Sequence, residues 1–139
     1  MTPRIEITET PAEADRAAIH GGLLGHNTAA YGRLNEGTRW IIARDAAGGV
    51  AGGARCDIAS GWLYLDWLWV AAPARGSGLG ARLLLAAETL ARERRLLGVH
   101  LYTFSFQAPG FYRKQGYAEF ARMDDMPPGA TRFWFVKRF

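Results

Sequence analysis

The segment Arg75-Gly76-Ser77-Gly78-Leu79-Gly80 places three alternating glycines between two arginines, Arg75 and Arg82. Glycine permits a tight turn and lets the oxygens of a ligand come close to backbone N–H groups. A helix beginning at such a turn adds unpaired N–H groups and the positive end of its dipole, so the turn suits a phosphate. No acid occurs from Ala71 to Ala87, so the local field is positive throughout. Gly76 to Ala81 also satisfies the loose G-x-G-x-x-G/A pattern of dinucleotide folds, but that pattern calls for a following strand ending in an acid about 20 residues on. Val99 to Phe106 contains none. No Gly-Lys-Ser/Thr follows the loop, so it is not a Walker loop.

The elements around this loop can be read from periodicity and punctuation. Ile5 and Ile7 alternate with polar neighbours and predict a short first strand. Thr8 to Ala14 offers cap-like residues before a helix reaching about Leu24, which Gly21-Gly22 and Gly25-His26-Asn27 are expected to break. Trp40–Arg44, Val50–Ile58 and Trp62–Val70 read as three strands joined by tight turns, an antiparallel meander. The Gly-rich turn leads into a helix to about Leu97, with Leu79, Leu83, Ala86, Ala87 and Leu90 on one face. Glu88 and Arg92 sit four apart on the other face, in the favourable order. Gly98 stops the helix, and Val99–Phe104 is a strand. Pro109 starts a short helix ending at Gly116, and strands 117–123 and 131–136 close the chain around Pro127-Pro128-Gly129. The order β-α-β-β-β-α-β-α-β-β predicts an α/β (α+β) fold. Its sheet is mixed, mostly antiparallel and six- to seven-stranded, flanked by helices. One crossover, residues 62–104, carries the loop.

At 139 residues, 49% hydrophobic and 22% charged, the chain fits a single globular domain, 1–139. The net charge of +4 is too small to choose among anionic partners. A nucleic-acid module would draw on that charge and on Trp62, Trp67, Trp69 and Trp134, but these rings fall on strands in mixed facings and no nucleic-acid motif accompanies them. Cys56 is alone, reads as a small apolar strand residue, and fits a reducing compartment. Met1 to Glu6 lacks a signal-peptide pattern, and the apolar run Trp62–Ala72, interrupted by Asp66, falls short of the ~20 residues that span a bilayer. Three scattered histidines and one cysteine make no metal site. The expectation is a cytoplasmic protein with neither membrane nor nucleic acid as partner.

Val70 to Gly80, followed by Leu83-Leu84, resembles the acyl-CoA motif of the GNAT N-acetyltransferase superfamily: arginine or glutamine, then Gly, any residue, Gly, any residue, Gly or Ala. Phe111-Tyr112-Arg113-Lys114-Gln115-Gly116-Tyr117 is similar to the same family's aromatic-Tyr, three residues, Gly-aromatic signature. The resemblance runs from about Ile41 to the C-terminus. It implies an acyl-CoA-dependent enzyme that moves an acetyl group from acetyl-CoA to a primary amine by direct transfer in a ternary complex. A sensor that binds acyl-CoA without catalysis is the other reading of the same fold.

Transfer to an amine requires a neutral nucleophile, donors for the developing oxyanion and a proton for the leaving thiolate. By resemblance, Tyr112 faces the sulfur and acts as the acid; a half-buried core tyrosine is the bland reading. Asp66 is the candidate base. It is expected to share a strand face with Trp62, Tyr64, Leu68 and Val70 as a lone carboxylate whose pKa is raised. It also lies near where some family members carry a glutamate, while an Asp bonded to backbone or to an arginine is the competing reading. The resemblance assigns Arg75, Gly76, Ser77, Gly78, Leu79 and Gly80 to the pyrophosphate, and the backbone of Leu68, Trp69 and Val70 to the pantetheine arm. Ser105 stands where many members have an Asn that touches CoA, which weakens a side-chain contact there. His26 and Asn27 read as loop residues, with a place at the acceptor pocket as the other reading. The loop Gly25–Gly37, with Arg33 and Glu36, is expected over the acceptor, a small-molecule or peptide amine. The strand Thr131–Phe135 is apolar enough for a homodimer interface or simply for the core.

Overall fold

The computed structural model describes residues 2–32 and 35–139. By its internal contacts the chain divides into two compact units, Met1–Leu34 and Asn35–Phe139. In the first, Ile5 and Ile7 form no strand, so the expected opening strand is absent. Helix α1 runs Glu13–Tyr31, straight through Gly21, Gly22, Gly25, His26 and Asn27. A glycine inside a helix costs only about 1 kcal/mol relative to alanine, and these glycines do not end it. His26 and Asn27 are therefore helix residues rather than loop residues. Arg33, expected near the acceptor, lies outside the described residues.

The second unit holds strands β1 (Asn35–Arg44), β2 (Val50–Ala59) and β3 (Trp62–Val70), a 3₁₀ turn at Ala72–Ala74, and helix α2 (Leu79–Glu93). Strand β4 (Gly98–Phe104), helix α3 (Pro109–Lys114), β5 (Ala118–Asp124) and β6 (Thr131–Arg138) follow. The six strands form one sheet in the order β1-β2-β3-β4-β6-β5, antiparallel except for the β3–β4 pair. The meander, the central crossover and the mixed sheet are as the sequence predicts.

Helix α2 covers one face of the sheet with Leu83, Leu84, Ala87 and Ala91, all buried. Beneath it Cys56, Leu63, Val99 and Phe135 are fully shielded from water. Burial of each such large apolar side chain stabilises by roughly 1.5–3 kcal/mol. Gly52 sets how near the start of α2 can come. A Cβ there would stand 2.8 Å from the Trp69 carbonyl oxygen and 3.2 Å from Leu83 Cδ1.

The helix departs from expectation in two ways. It ends at Glu93, and Arg95 beyond it has a left-handed φ of 57°. Glu88 does not face solvent with Arg92 but is buried, its carboxylate accepting from Lys137 Nζ at 2.7 Å. Arg92 instead stacks on the Phe139 ring. Lys137 Nζ also donates to the Gln115 carbonyl at 3.0 Å, so one ammonium ties α2, the end of α3 and β6 together. Strand β6 lies between β4 and β5 with Phe133 and Phe135 buried. Both phenylalanines belong to the core.

Candidate active site

Strands β3 and β4 pair only at Leu63–Val99 and Tyr64–His100. Beyond that point they diverge, and the β4-facing edge of β3 from Leu65 to Val70 has no strand beside it. The gap is a cleft of about 750 Å³. Asp66, Leu68, Trp69 and Val70 from β3, Arg75 and Gly80 from the Gly-rich turn, Tyr102 from β4, and Phe111 and Tyr112 from α3 all line it. Sequence reasoning had these residues on separate elements; the divergence brings them together.

A bulge in β3 shapes the cleft wall. Leu65 pairs with Cys56 and Trp67 with Arg55, leaving Asp66 as the extra residue. Leu65 faces the α2 side with its partner Cys56, and Leu68 does the same with Ala54. Two residues three apart on one face require the bulge. Asp66 therefore does not share a face with Leu68 and Val70, as simple alternation predicted. Its carboxylate lies on the opposite face, where Trp62 and Tyr64 stand.

Nor is Asp66 a lone carboxylate. Arg55 Nη1 donates to Asp66 Oδ2 and, at 2.8 Å, to Asp57 Oδ2. Asp57 also accepts from the Thr38 hydroxyl at 2.6 Å. The guanidinium lies near the rings of Trp40 and Trp67, 6.0 and 5.7 Å from their centroids. Asp66 is thus bonded to an arginine, one of the readings open in the sequence. Arg55 itself was missed, because its register opposite Trp67 appears only once the bulge is known.

The Gly-rich turn adopts the geometry expected of it. Gly76 and Gly78 have φ of 76° and 83°, in the left-handed region that favours glycine. A Cβ at either would meet nothing within 4 Å, so backbone conformation rather than space calls for these glycines. Gly78 is the N-cap of α2, and no side chain caps the helix. Its first N–H groups have no side-chain acceptor. The Ser77 hydroxyl bonds back to the Ala74 carbonyl, and Arg75 Nε donates to the Val70 carbonyl at 3.1 Å. Gly80 faces the cleft beside Phe111 and Val70.

Tyr112 is the fourth residue of α3 and is 8% exposed. Its ring packs edge-on against Phe111 and Tyr117 and near Phe135. The hydroxyl makes no hydrogen bond among the described residues, and burial pushes the phenol up to about 12. At neutral pH it is a protonated donor at the wall of the cleft. Ser105 is elsewhere. Its Oγ accepts from Thr131 N at 3.0 Å, which anchors the start of β6, and it is not part of the cleft wall. Gln107, two residues on, lines the cleft, while its Oε1 accepts from the Thr103 hydroxyl and Phe104 N. No sequence pattern pointed to it.

Among the described residues no group of His, Cys, Asp or Glu is placed to hold a metal, and no helix is long and apolar enough to cross a membrane.

The family described as an acetyltransferase (GNAT) domain matches residues 35–119. The Blasticidin-S acetyltransferase of Streptomyces morookaense is 47% identical over 91 residues, 65% of this chain and 67% of that one. An acetyltransferase of Agrobacterium fabrum is 32% identical over 128 residues, covering 92% of this chain and 93% of the other. Among solved structures, an acetyltransferase from Bacillus cereus superposes with a TM-score of 0.86 at 28% identity, over 96% of this chain and 98% of its own.

Proposed function

Because the chain belongs to the GNAT acetyltransferase family and is an acyl-CoA-dependent N-acyltransferase, we propose that it moves an acetyl group from acetyl-CoA to the primary amine of a small molecule, directly, in a ternary complex of residues 1–139 acting as one domain. The observation that carries this is the divergence of β3 and β4. It leaves a strand edge, Leu65–Val70, open beside the uncapped start of α2. These residues fit the cofactor. The backbone of Leu68, Trp69 and Val70 offers amide partners to a pantetheine arm, as an added strand would use them. The Arg75–Gly80 turn offers N–H groups and positive charge to a pyrophosphate. Bound there, acetyl-CoA supplies an activated thioester.

In this reading Tyr112 hands its phenolic proton to the departing sulfur. Its hydroxyl has no hydrogen-bond partner among the described residues, and its raised pKa keeps it protonated at neutral pH. Asp66 takes the proton released by the attacking amine, with Arg55 fixing the carboxylate at the bulge. Asp57 shares that guanidinium, so two carboxylates meet one arginine at this point of the sheet.

The test is release of free CoA thiol from acetyl-CoA over a panel of amines, with blasticidin S included because the Streptomyces relative is named for it. Amine-dependent thiol release with matching acetylated product supports the proposal. Tight binding of acetyl-CoA with no turnover on any amine would leave a binding protein instead.

A further inference from the structure

On the face of the sheet opposite α2 lies an arginine that pairs with no acid among the described residues. Arg132, at the start of β6, pairs across the sheet with Phe104 of β4 and Met123 of β5. Its guanidinium carbon lies 4.1 Å from the Tyr102 ring centroid, 4.9 Å from Phe104 and 5.5 Å from Trp134. Its Nε is buried without a hydrogen-bond partner, and it joins no ion pair among the described residues. The carboxylate of the preceding pair, Asp124, is taken by the Thr131 hydroxyl. A guanidinium presents five donors in a planar fork, and rings beneath it hold the plane but accept none of the in-plane hydrogens. A desolvated donor left unmet calls for an explanation.

Its position supplies one. Tyr102 lines the cleft, as does Phe106, whose ring stacks 5.1 Å from Phe104. Arg132 thus sits on the two aromatic residues that lead to the cleft. In sheet order β4 lies between Asp66 on β3 and Arg132 on β6, and both charges act on the same phenol, Tyr64. Burial pushes that phenol up, Tyr102 and Asp66 add to the effect, and Arg132 opposes it. Asp66 and Tyr102 both line the cleft and Arg132 lies over the Tyr102 ring, so a carboxylate and a guanidinium without an ion pair among the described residues stand on either side of β4.

We infer that Arg132 reads a carboxylate on the acceptor, so that the enzyme's substrates are amines that also carry a carboxylate group. The inference rests on the proposed amine transfer. The amine end lies at Asp66 and the thioester, and the anionic end meets the guanidinium fork in the two-pronged geometry that arginine offers a carboxylate. The Tyr102 ring both lines the cleft and carries the guanidinium.

The experiment compares matched acceptors, L-lysine against L-lysinamide and γ-aminobutyrate against its amide, with wild type, Arg132→Gln and Arg132→Lys. The expected result is a kcat/KM preference for the carboxylate of tenfold or more in wild type. It is lost in Arg132→Gln and reduced in Arg132→Lys, which keeps the charge but not the fork. Acetyl-CoA affinity, measured by calorimetry, stays unchanged in all three. An equal rate on acid and amide in wild type, or a preference that survives Arg132→Gln, overturns the inference while leaving amine transfer intact. If none of these acceptors is turned over, saturation-transfer NMR of γ-aminobutyrate with the acetyl-CoA-bound protein decides. Contact seen with wild type, and lost with both its amide and Arg132→Gln, supports the assignment. Equal or absent contact overturns it. Failure of amine transfer as such shows separately, as no thiol release on the wider panel.

Discussion

Arg55 reaches Asp66 with Nη1, the nitrogen it also gives to Asp57. The pair exists because Asp66 keeps the face of the sheet that Arg55 occupies, at the one-residue bulge beyond which Leu68 and Val70 switch to the other face. A carboxylate held in one orientation at the rim of the β3–β4 gap is a positioned proton acceptor. It is also a sheet contact, and the two roles predict different outcomes.

Asp66→Asn keeps the size and one acceptor oxygen but removes the basic group. If Asp66 takes the amine proton, kcat falls at least about tenfold, the low end of what a positioned base contributes being larger still. Acetyl-CoA affinity is kept. Steady-state rates and acetyl-CoA calorimetry of the two proteins check this. An unchanged kcat assigns the proton to water.

How much of this was legible beforehand follows the range of the signals. Alternation and turn residues predicted the meander, and the Gly-rich turn predicted its own geometry because φ above zero is a local demand, met here at Gly76 and Gly78. The bulge at Asp66 was not legible. Alternation with a single-residue slip looks the same as unbroken alternation among residues as uniformly large as Trp62–Val70. The Glu88–Lys137 pair spans 49 residues of sequence, so a local i,i+4 rule assigned Glu88 the wrong partner. Helix α1 outran its glycines because each costs little when its neighbours are good helix formers.

Gly78 tests the anion site. Any side chain there meets the strain of φ 83°, so Gly78→Asn is the control for Gly78→Asp. The two variants share size and backbone cost, and Asn and Asp both tolerate the left-handed region better than other residues. Only Asp places a negative charge at the start of α2. Calorimetry is expected to show acetyl-CoA binding weakened at least about tenfold more by Asp than by Asn, with circular dichroism unchanged. Equal weakening by both would trace the loss to the backbone.

Lys137 is a stability prediction. Glu88 is buried, and removing its partner leaves an uncompensated carboxylate in the core. Lys137→Met should cost about 3–5 kcal/mol in urea unfolding. The double variant Glu88→Leu/Lys137→Met should recover much of that, since an apolar pair of similar volume replaces two desolvated charges. Lys137 also holds the Gln115 carbonyl, so the double variant separates the ion pair from the tether to α3. Recovered stability with lowered kcat would assign the tether to positioning Tyr112.

Tyr112→Phe removes one hydroxyl from the cleft wall and leaves the ring contacts with Phe111, Tyr117 and Phe135. Burial holds the phenol at about 12, above the ordinary 10, which fixes the sign of its pH effects. The folded form retains the proton through the interval from about 10 to about 12, where the unfolded chain loses it. Tyr112 therefore stabilises the fold fully below pH 10, and this contribution declines as the pH rises toward 12. As an acid it stays competent across the whole neutral and mildly alkaline range, so any basic limb of the rate below pH 10 belongs to another group. Single-turnover acetyl transfer to a good amine acceptor should slow at least about tenfold in Tyr112→Phe, a general acid contributing about 10²–10⁴-fold. Acetyl-CoA affinity should barely change, the pattern of an interaction made in the transition state alone. Equal single-turnover rates would make Tyr112 a packing residue and leave solvent to protonate the thiolate.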